Sequence, residues 1–211
     1  MELRVLKTDG SETGRTVNLN DSIFGIEPNS HAIWLDVKQY LANQRQGTHA
    51  SLEKSTISGS TRKLRKQKGG GGARFGSIKS PLLRGGARIF GPQPRDYGFK
   101  LNKKVKRLAR MSALAIKAKE NNITVMEQFD FQEPKTKDFV KILVNTNLVD
   151  KKTLFVANEL NKSVFLSSRN LKKVSIATVS NLNTYEILNA QNIVILEPAA
   201  SKMDEFFKIN E

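Results

Sequence analysis

The 211-residue chain has no cysteine and only two histidines, His31 and His49. A disulfide framework, a thiolate zinc site and a thiol nucleophile are thereby excluded, and too little imidazole is left for a histidine-based metal centre. Apolar residues nowhere run unbroken for the ~18 positions that a membrane span requires. The N-terminus, MELRVLKTDG, lacks the basic-then-apolar order of an export signal. These absences lead us to expect a cytoplasmic protein with no membrane partner. Nucleotide-binding signatures are missing as well: there is no Gly-Lys-Ser/Thr, and no register of the glycines at 69–76 satisfies G-x-G-x-x-G.

Acid is scarce in one place only. The whole chain carries 35 Lys and Arg against 20 Asp and Glu, a formal charge of +15. Residues 45–110 hold 18 of the basic residues and just two acids, Glu53 and Asp96, a local charge of +16. The other 145 residues therefore sum to −1, so one contiguous third of the sequence carries the entire excess. That third also holds 11 of the 14 glycines. Like charges repel, and a segment with little apolar residue to bury does not pack alone. It needs an anion. Polybasic membrane segments bring an amphipathic apolar face or a lipidation signal, and neither is present. Nucleic acid fits better, because each phosphate met by Lys or Arg releases a counterion.

Around that segment the pattern is regular. Residues 2–7 and 14–19 read as two strands about an Asp9-Gly10 turn. Ile33, Val37, Tyr40 and Leu41 share one helical face between Pro28 and about Gln46, with Asn29 or Ser30 as N-cap. A long helix is expected from Asn102 to about Asn121, on a face made by Val105, Leu108, Ala109, Ser112, Ala115 and Ile116. Its first turns hold Lys103, Lys104, Lys106, Arg107 and Arg110, and a cation near a helix N-terminus is unfavourable by about 0.3–1 kcal/mol unless an anion offsets it. Strands then alternate with helices: strands at 123–127, 153–157, 174–179 and 193–196, helices at 135–147, 161–168 and 184–190, and a last helix opening at Pro198. This order predicts an α/β fold, a single domain whose largely parallel sheet is covered by helices on both faces.

Residues 47–100 show neither helical nor strand periodicity and predict a basic, glycine-rich loop. Structureless loops of this length are usually functional or disordered. An out-and-back path of roughly 25 residues each way, at about 3.3 Å per residue, sets an upper reach of about 80 Å. The expected organisation is a globular domain from 1–44 and 101–211, with 45–100 as an extended basic loop.

No catalytic constellation assembles, and no cofactor or metal is expected. Glu53 and Asp96 are isolated, Asp130 with Glu133 reads as a solvated turn, and His31 falls on a helix surface. His49, among Arg45, Thr48 and Lys54, suits hydrogen bonding to RNA. Phe75, Phe90, Tyr97 and Phe99 interleave with the arginines, as in proteins that stack rings on exposed bases, and Phe75 is the strongest stacking candidate. Without an RNA-recognition, KH or zinc-finger pattern, the sequence describes a binder of phosphate and shape.

Specific motifs then carry a resemblance. Arg45-Gln46-Gly47-Thr48-His49-Ala50, Ser58-Gly59, Arg62-Lys63, Gln67-Lys68-Gly69, Ala73-Arg74, Gly76-Ser77-Ile78, Ser80-Pro81, Arg84-Gly85-Gly86, Phe90-Gly91-Pro92, Pro94-Arg95-Asp96-Tyr97 and Lys103-Lys104 closely resemble the bacterial large ribosomal subunit protein 4 family. Looser likeness extends to Phe24-Gly25-Ile26-Glu27-Pro28 and to 182–188. The resemblance implies a non-enzymatic constituent of the large ribosomal subunit that binds large-subunit ribosomal RNA, touches neighbouring large-subunit proteins and acts early in assembly. It also implies that the loop at 45–100 penetrates ribosomal RNA and that its tip lines the nascent-peptide exit tunnel and meets the nascent peptide. The RNA-binding residues expected on this basis are Arg45, Gln46, Thr48, His49, Lys54, Arg62, Lys63, Arg65, Lys66, Gln67, Lys68, Arg74, Phe75, Lys79, Arg84, Arg88, Arg95, Lys100, Lys103, Lys104 and Arg107. The tip would be Arg65, Lys66, Gln67, Lys68, Gly69, Gly70, Gly71, Gly72 and Arg74. Here the chain departs from the family, which usually has Pro-Trp in place of Leu64-Arg65 and Thr-Gly-Arg in place of Gly70-Gly71-Gly72. The alternative reading is a trans-acting RNA-binding regulator of its own operon, working through the globular domain.

Overall fold

The computed structural model describes residues 1–208. Its elements run β1 (Glu2–Leu6), β2 (Glu12–Asn18), α1 (Asp21–Phe24), α2 (Ser30–Asn43), α3 (Lys103–Lys119), β3 (Ile123–Met126), α4 (Thr136–Asn145), β4 (Thr153–Ala157), α5 (Lys162–Ser168), β5 (Val174–Thr178), a 3-10 turn (Val179–Asn181), α6 (Thr184–Asn189), β6 (Asn192–Leu196) and α7 (Glu197–Lys208). The six strands form one sheet in the order β2-β1-β3-β6-β4-β5. Only the β1–β2 pair is antiparallel; β1, β3, β6, β4 and β5 run parallel. The predicted α/β class and largely parallel sheet are therefore found.

Each face of the sheet has its own core. On one, Ile23, Phe24, Leu114, Leu182, Ile187 and Met203 pack against Leu154, Ile193 and Ile195 of β4 and β6. On the other, Phe139, Ile142, Leu143 and Val164 from α4 and α5 cover Met126, Phe155 and Val194. A strand buried on both faces cannot alternate apolar with polar, and every residue of β4 (TLFVA) is buried. Phe139 sits edge-on to Phe155, their ring centroids 5.2 Å apart, with Phe129 and Phe131 against it.

Capping fixes α2. Asn29 Oδ1 accepts from the Ala32 backbone N–H at 3.0 Å, so Asn29 is the cap and the helix begins at Ser30. The Thr184 hydroxyl at the start of α6 donates to the Asp36 carboxylate, and Tyr40 stacks on Tyr185 at 5.1 Å. The helix stops at Asn43, three residues before the expected Gln46, where the chain enters the glycine-bearing basic segment. In α3 the buried face is Ala109, Ser112, Ala113, Leu114, Ala115 and Ala118, whereas Leu108 from the expected face is 39% exposed. Small side chains on that face let α3 pack closely against α1 and α6, which shifts the buried face by about one residue from the large apolar positions.

By its internal contacts the chain divides into two compact units, residues 1–41 with 100–208 and residues 42–99.

Candidate nucleic-acid interface

The 42–99 unit contains no helix beyond the end of α2, and its single strand-like pairing among the described residues is the bridge between Lys63 and Ser77. Further backbone bonds join its early and late residues: Arg95 N–H to Gly47 O at 3.1 Å, Ser51 N–H to Pro92 O at 2.9 Å, Arg88 N–H to Leu52 O at 3.0 Å and Leu64 N–H to Gly76 O at 3.5 Å. The paired positions centre on about residue 70, so the segment runs out and back on itself. Glycine makes the closest approach possible. A Cβ on Gly47, whose φ is +64°, would lie 2.0 Å from Arg95 O, and one on Gly86 would lie 1.9 Å from Ser80 O.

Apolar burial does not hold this unit together. Among the described residues Ala87 is its one buried apolar side chain, while Leu82 and Phe90 are almost fully exposed. Charge does not hold it together either, since no salt bridge among the described residues involves a cation of 42–99. Its two acids are engaged by neutral donors. Gln93 Nε2 donates to Glu53 at 3.0 Å, and the Gly98 N–H donates to Asp96 at 2.8 Å in a tight turn. Among the described residues the positive charge is therefore left without an ion-pair partner, and the segment has little core of its own.

Aromatic rings organise part of the charge. The Arg45 and Arg95 guanidiniums lie 3.7 and 4.5 Å from the Tyr97 ring centre, and the Tyr97 hydroxyl meets His49 Nε2 at 3.1 Å. Stacked guanidiniums keep their N–H edges for phosphate, a geometry lysine does not share. Arg65 lies 4.9 Å from the Phe75 ring, so one face of the expected stacking residue is occupied from within. Phe90 is the better placed ring, because it is fully exposed and its φ of +51° is uncommon for an aromatic residue. The sequence names Phe90 without placing it in the site; its backbone conformation carries no signature in residue type.

Two open clefts gather the expected residues. One, of about 890 Å³, is lined by Arg62, Lys63, Arg65, Lys66, Lys79 and Arg84 and by no acid. The second, about 460 Å³, is formed by residues 65–74, where Gly69 and Gly71 have positive φ. Arg45, Gln46, Thr48, His49, Lys54, Arg74, Arg88, Arg95, Lys100, Lys103 and Lys104 are exposed, and Phe75, Lys79 and Arg107 are half-buried. At the start of α3 the structure has no acid in the first turn and no side-chain cap from Asn102, leaving Lys103 and Lys104 beside unpaired backbone N–H groups. Arg110, one of the helix's cations but outside the expected set, has a buried Nε without a hydrogen-bond acceptor.

A basic surface whose cations have no ion-pair partner among the described residues is what a ribosomal RNA binder presents, and comparison with known proteins decides the family: residues 17–206 match the profile of the ribosomal protein L4/L1 family. The chain belongs to that family. Similar proteins include the large ribosomal subunit protein uL4 of Parabacteroides distasonis, 62% identical over 208 residues that cover 99% of this chain and 100% of that protein. The uL4 of Phocaeicola vulgatus is 63% identical over 197 residues, 93% of this chain and 95% of its own. That of Flavobacterium psychrophilum is 59% identical over 205 residues, 97% and 98% respectively. The resemblance read from the basic motifs thus extends over nearly the whole chain, and the L4/L1 family is one of ribosomal structural proteins, not of enzymes.

Proposed function

We propose that this L4/L1 family chain is a structural constituent of the large ribosomal subunit, in the cytoplasm, and binds large-subunit ribosomal RNA through phosphate contacts of residues 45–100 and the first turns of α3. In this reading 1–44 with 101–211 form the globular domain, and 45–100 is the RNA-penetrating loop. One observation carries the proposal: among the described residues the cations of 42–99 have no ion-pair partner and almost no core beneath them. Binding supplies both the counter-charge and the order, bridging RNA segments early in subunit assembly. The tip at 65–74 is proposed to line the nascent-peptide exit tunnel, where Gly70-Gly71-Gly72 gives a less cationic and more adaptable surface than the Thr-Gly-Arg usual in the family. Neighbouring large-subunit proteins are partners of the globular domain.

The test compares the full chain with one in which 45–100 is replaced by a short Gly-Ser bridge, in cosedimentation with large subunits at high salt. Retention of the full chain and loss of the shortened one is expected. Tight binding of the shortened chain to its own operon's leader RNA, with no loss of subunit association, would favour the regulator reading instead.

A further inference from the structure

The L4/L1 assignment leaves unused a cavity of about 230 Å³ at the carboxyl end of the parallel strands β3, β4 and β6. In open parallel sheets this end is where ligands bind. Its floor is aromatic, from Phe129 and Phe155, and Asp130, Glu159, Asn158 and Asn161 stand around it. No lysine or arginine lines it. Asp130, exposed in its loop as the sequence reading expects, accepts a hydrogen bond from Asn161 Nδ2, which ties the β3–α4 loop to the β4–α5 loop. Asn158 lines the same space, and its buried Oδ1 accepts no hydrogen bond from any of the described residues. A buried acceptor left unmatched is destabilising, so its natural complement is a donor brought by something else.

The chemistry of the walls selects that donor. Two carboxylates and an amide oxygen repel phosphate, so this cavity does not suit an RNA backbone. The same end of the sheet already shows how the fold satisfies such groups: Arg15 spans Glu127 and Glu197, at 2.9 and 3.2 Å. Among the described residues, neither Asp130 nor Glu159 has a cation within salt-bridge distance. A guanidinium is planar, weakly hydrated and rich in donors, and it stacks on aromatic rings, so it fits carboxylates above a phenylalanine floor better than an ammonium does.

We infer that this cavity is a docking site for an arginine side chain on a basic segment of a partner protein. No residue of 42–99 lines it, and the inference does not rest on the proposed RNA role. Charge complementarity and the unmatched Asn158 acceptor select the occupant.

The full-length, isotope-labelled protein is titrated by NMR with a capped Gly-Arg-Gly peptide, and in parallel with its citrulline and lysine counterparts and with spermidine. Saturable shifts of the Asn158 and Asn161 side-chain amides are expected with the arginine peptide. Binding should be about tenfold weaker for citrulline, which keeps the shape and loses the charge, and weaker for lysine and spermidine. Asp130→Asn with Glu159→Gln should lower arginine-peptide affinity about tenfold while leaving ribosomal RNA affinity unchanged. The comparison on the unaltered chain stands even if that variant folds poorly. Absence of a saturable shift, or equal response to citrulline, overturns the inference. Preference for spermidine overturns it too, because the site would then take a free polyamine.

Discussion

Replacing Arg62, Arg65, Arg74, Arg84, Arg88 and Arg95 together by glutamine removes six charges that no acid of the described residues pairs with. All six are exposed, and the two that stack, Arg65 on Phe75 and Arg95 on Tyr97, use their planar faces in doing so, which leaves N–H edges for phosphate. At about 0.7 counterions per phosphate contact, the slope of log affinity against log salt should fall by about 4. Between about 50 and 200 mM salt the advantage of the native chain over the variant should then shrink by roughly 300-fold. Filter binding to large-subunit ribosomal RNA across that range measures both quantities. Lys151, Lys172 and Lys202, exposed in the other unit, provide the control: their replacement by glutamine should leave the slope within about one of native. Parallel lines for the six-arginine variant and the native chain would refute the reasoning, since the loss would then come from shape and not from counterion release.

The remaining predictions concern rings, backbone and core. Phe90→Ala should weaken ribosomal RNA binding by about 1–3 kcal/mol with no change in salt slope, because stacking and not charge is lost. In Gly47→Ala the new Cβ meets Arg95 O at 2.0 Å, so the Arg95 N–H to Gly47 O bond should open and hydrogen exchange at Arg95 should accelerate. Phe139→Ala empties the centre of a cluster of four phenylalanines and should cost about 3–5 kcal/mol, read from the urea midpoint. The hydrogen bond from Lys141, 3.0 Å away, holds the Asp138 carboxyl below its ordinary range. A lowered folded-state pKa contributes stability that is present above the unfolded value and lost as pH falls through the folded one. The small stability difference between native and Asp138→Asn at neutral pH should therefore disappear in acid, by thermal melts across pH.

Much of the sheet could be read from residue order. TLFVA at 153–157 is a run too short for a helix and apolar enough for a strand covered on both faces, and β4 has those bounds. Asp9-Gly10 marks its turn because Gly10 adopts φ +79°. The four-residue α1 was not legible: DSIF is too short to show a period, and its start depends on Asn20 accepting from the Ser22 N–H at 3.0 Å. The interface was legible as charge and illegible as geometry. Counting cations located 45–110, but nothing in residue type says that Arg45 and Arg95 converge on Tyr97 or that Phe90 stands free while Phe75 is covered. The arginine cavity was invisible for the same reason, since Asp130 and Asn161 lie 31 residues apart and meet only through sheet topology.

The most direct measurement of the central claim is a density map of the large subunit assembled with this chain. The account predicts residues 45–100 enclosed by ribosomal RNA, with the guanidiniums of Arg62, Arg74, Arg84 and Arg88 within hydrogen-bonding distance of phosphates. A map in which that segment lies in solvent, away from RNA, would contradict it.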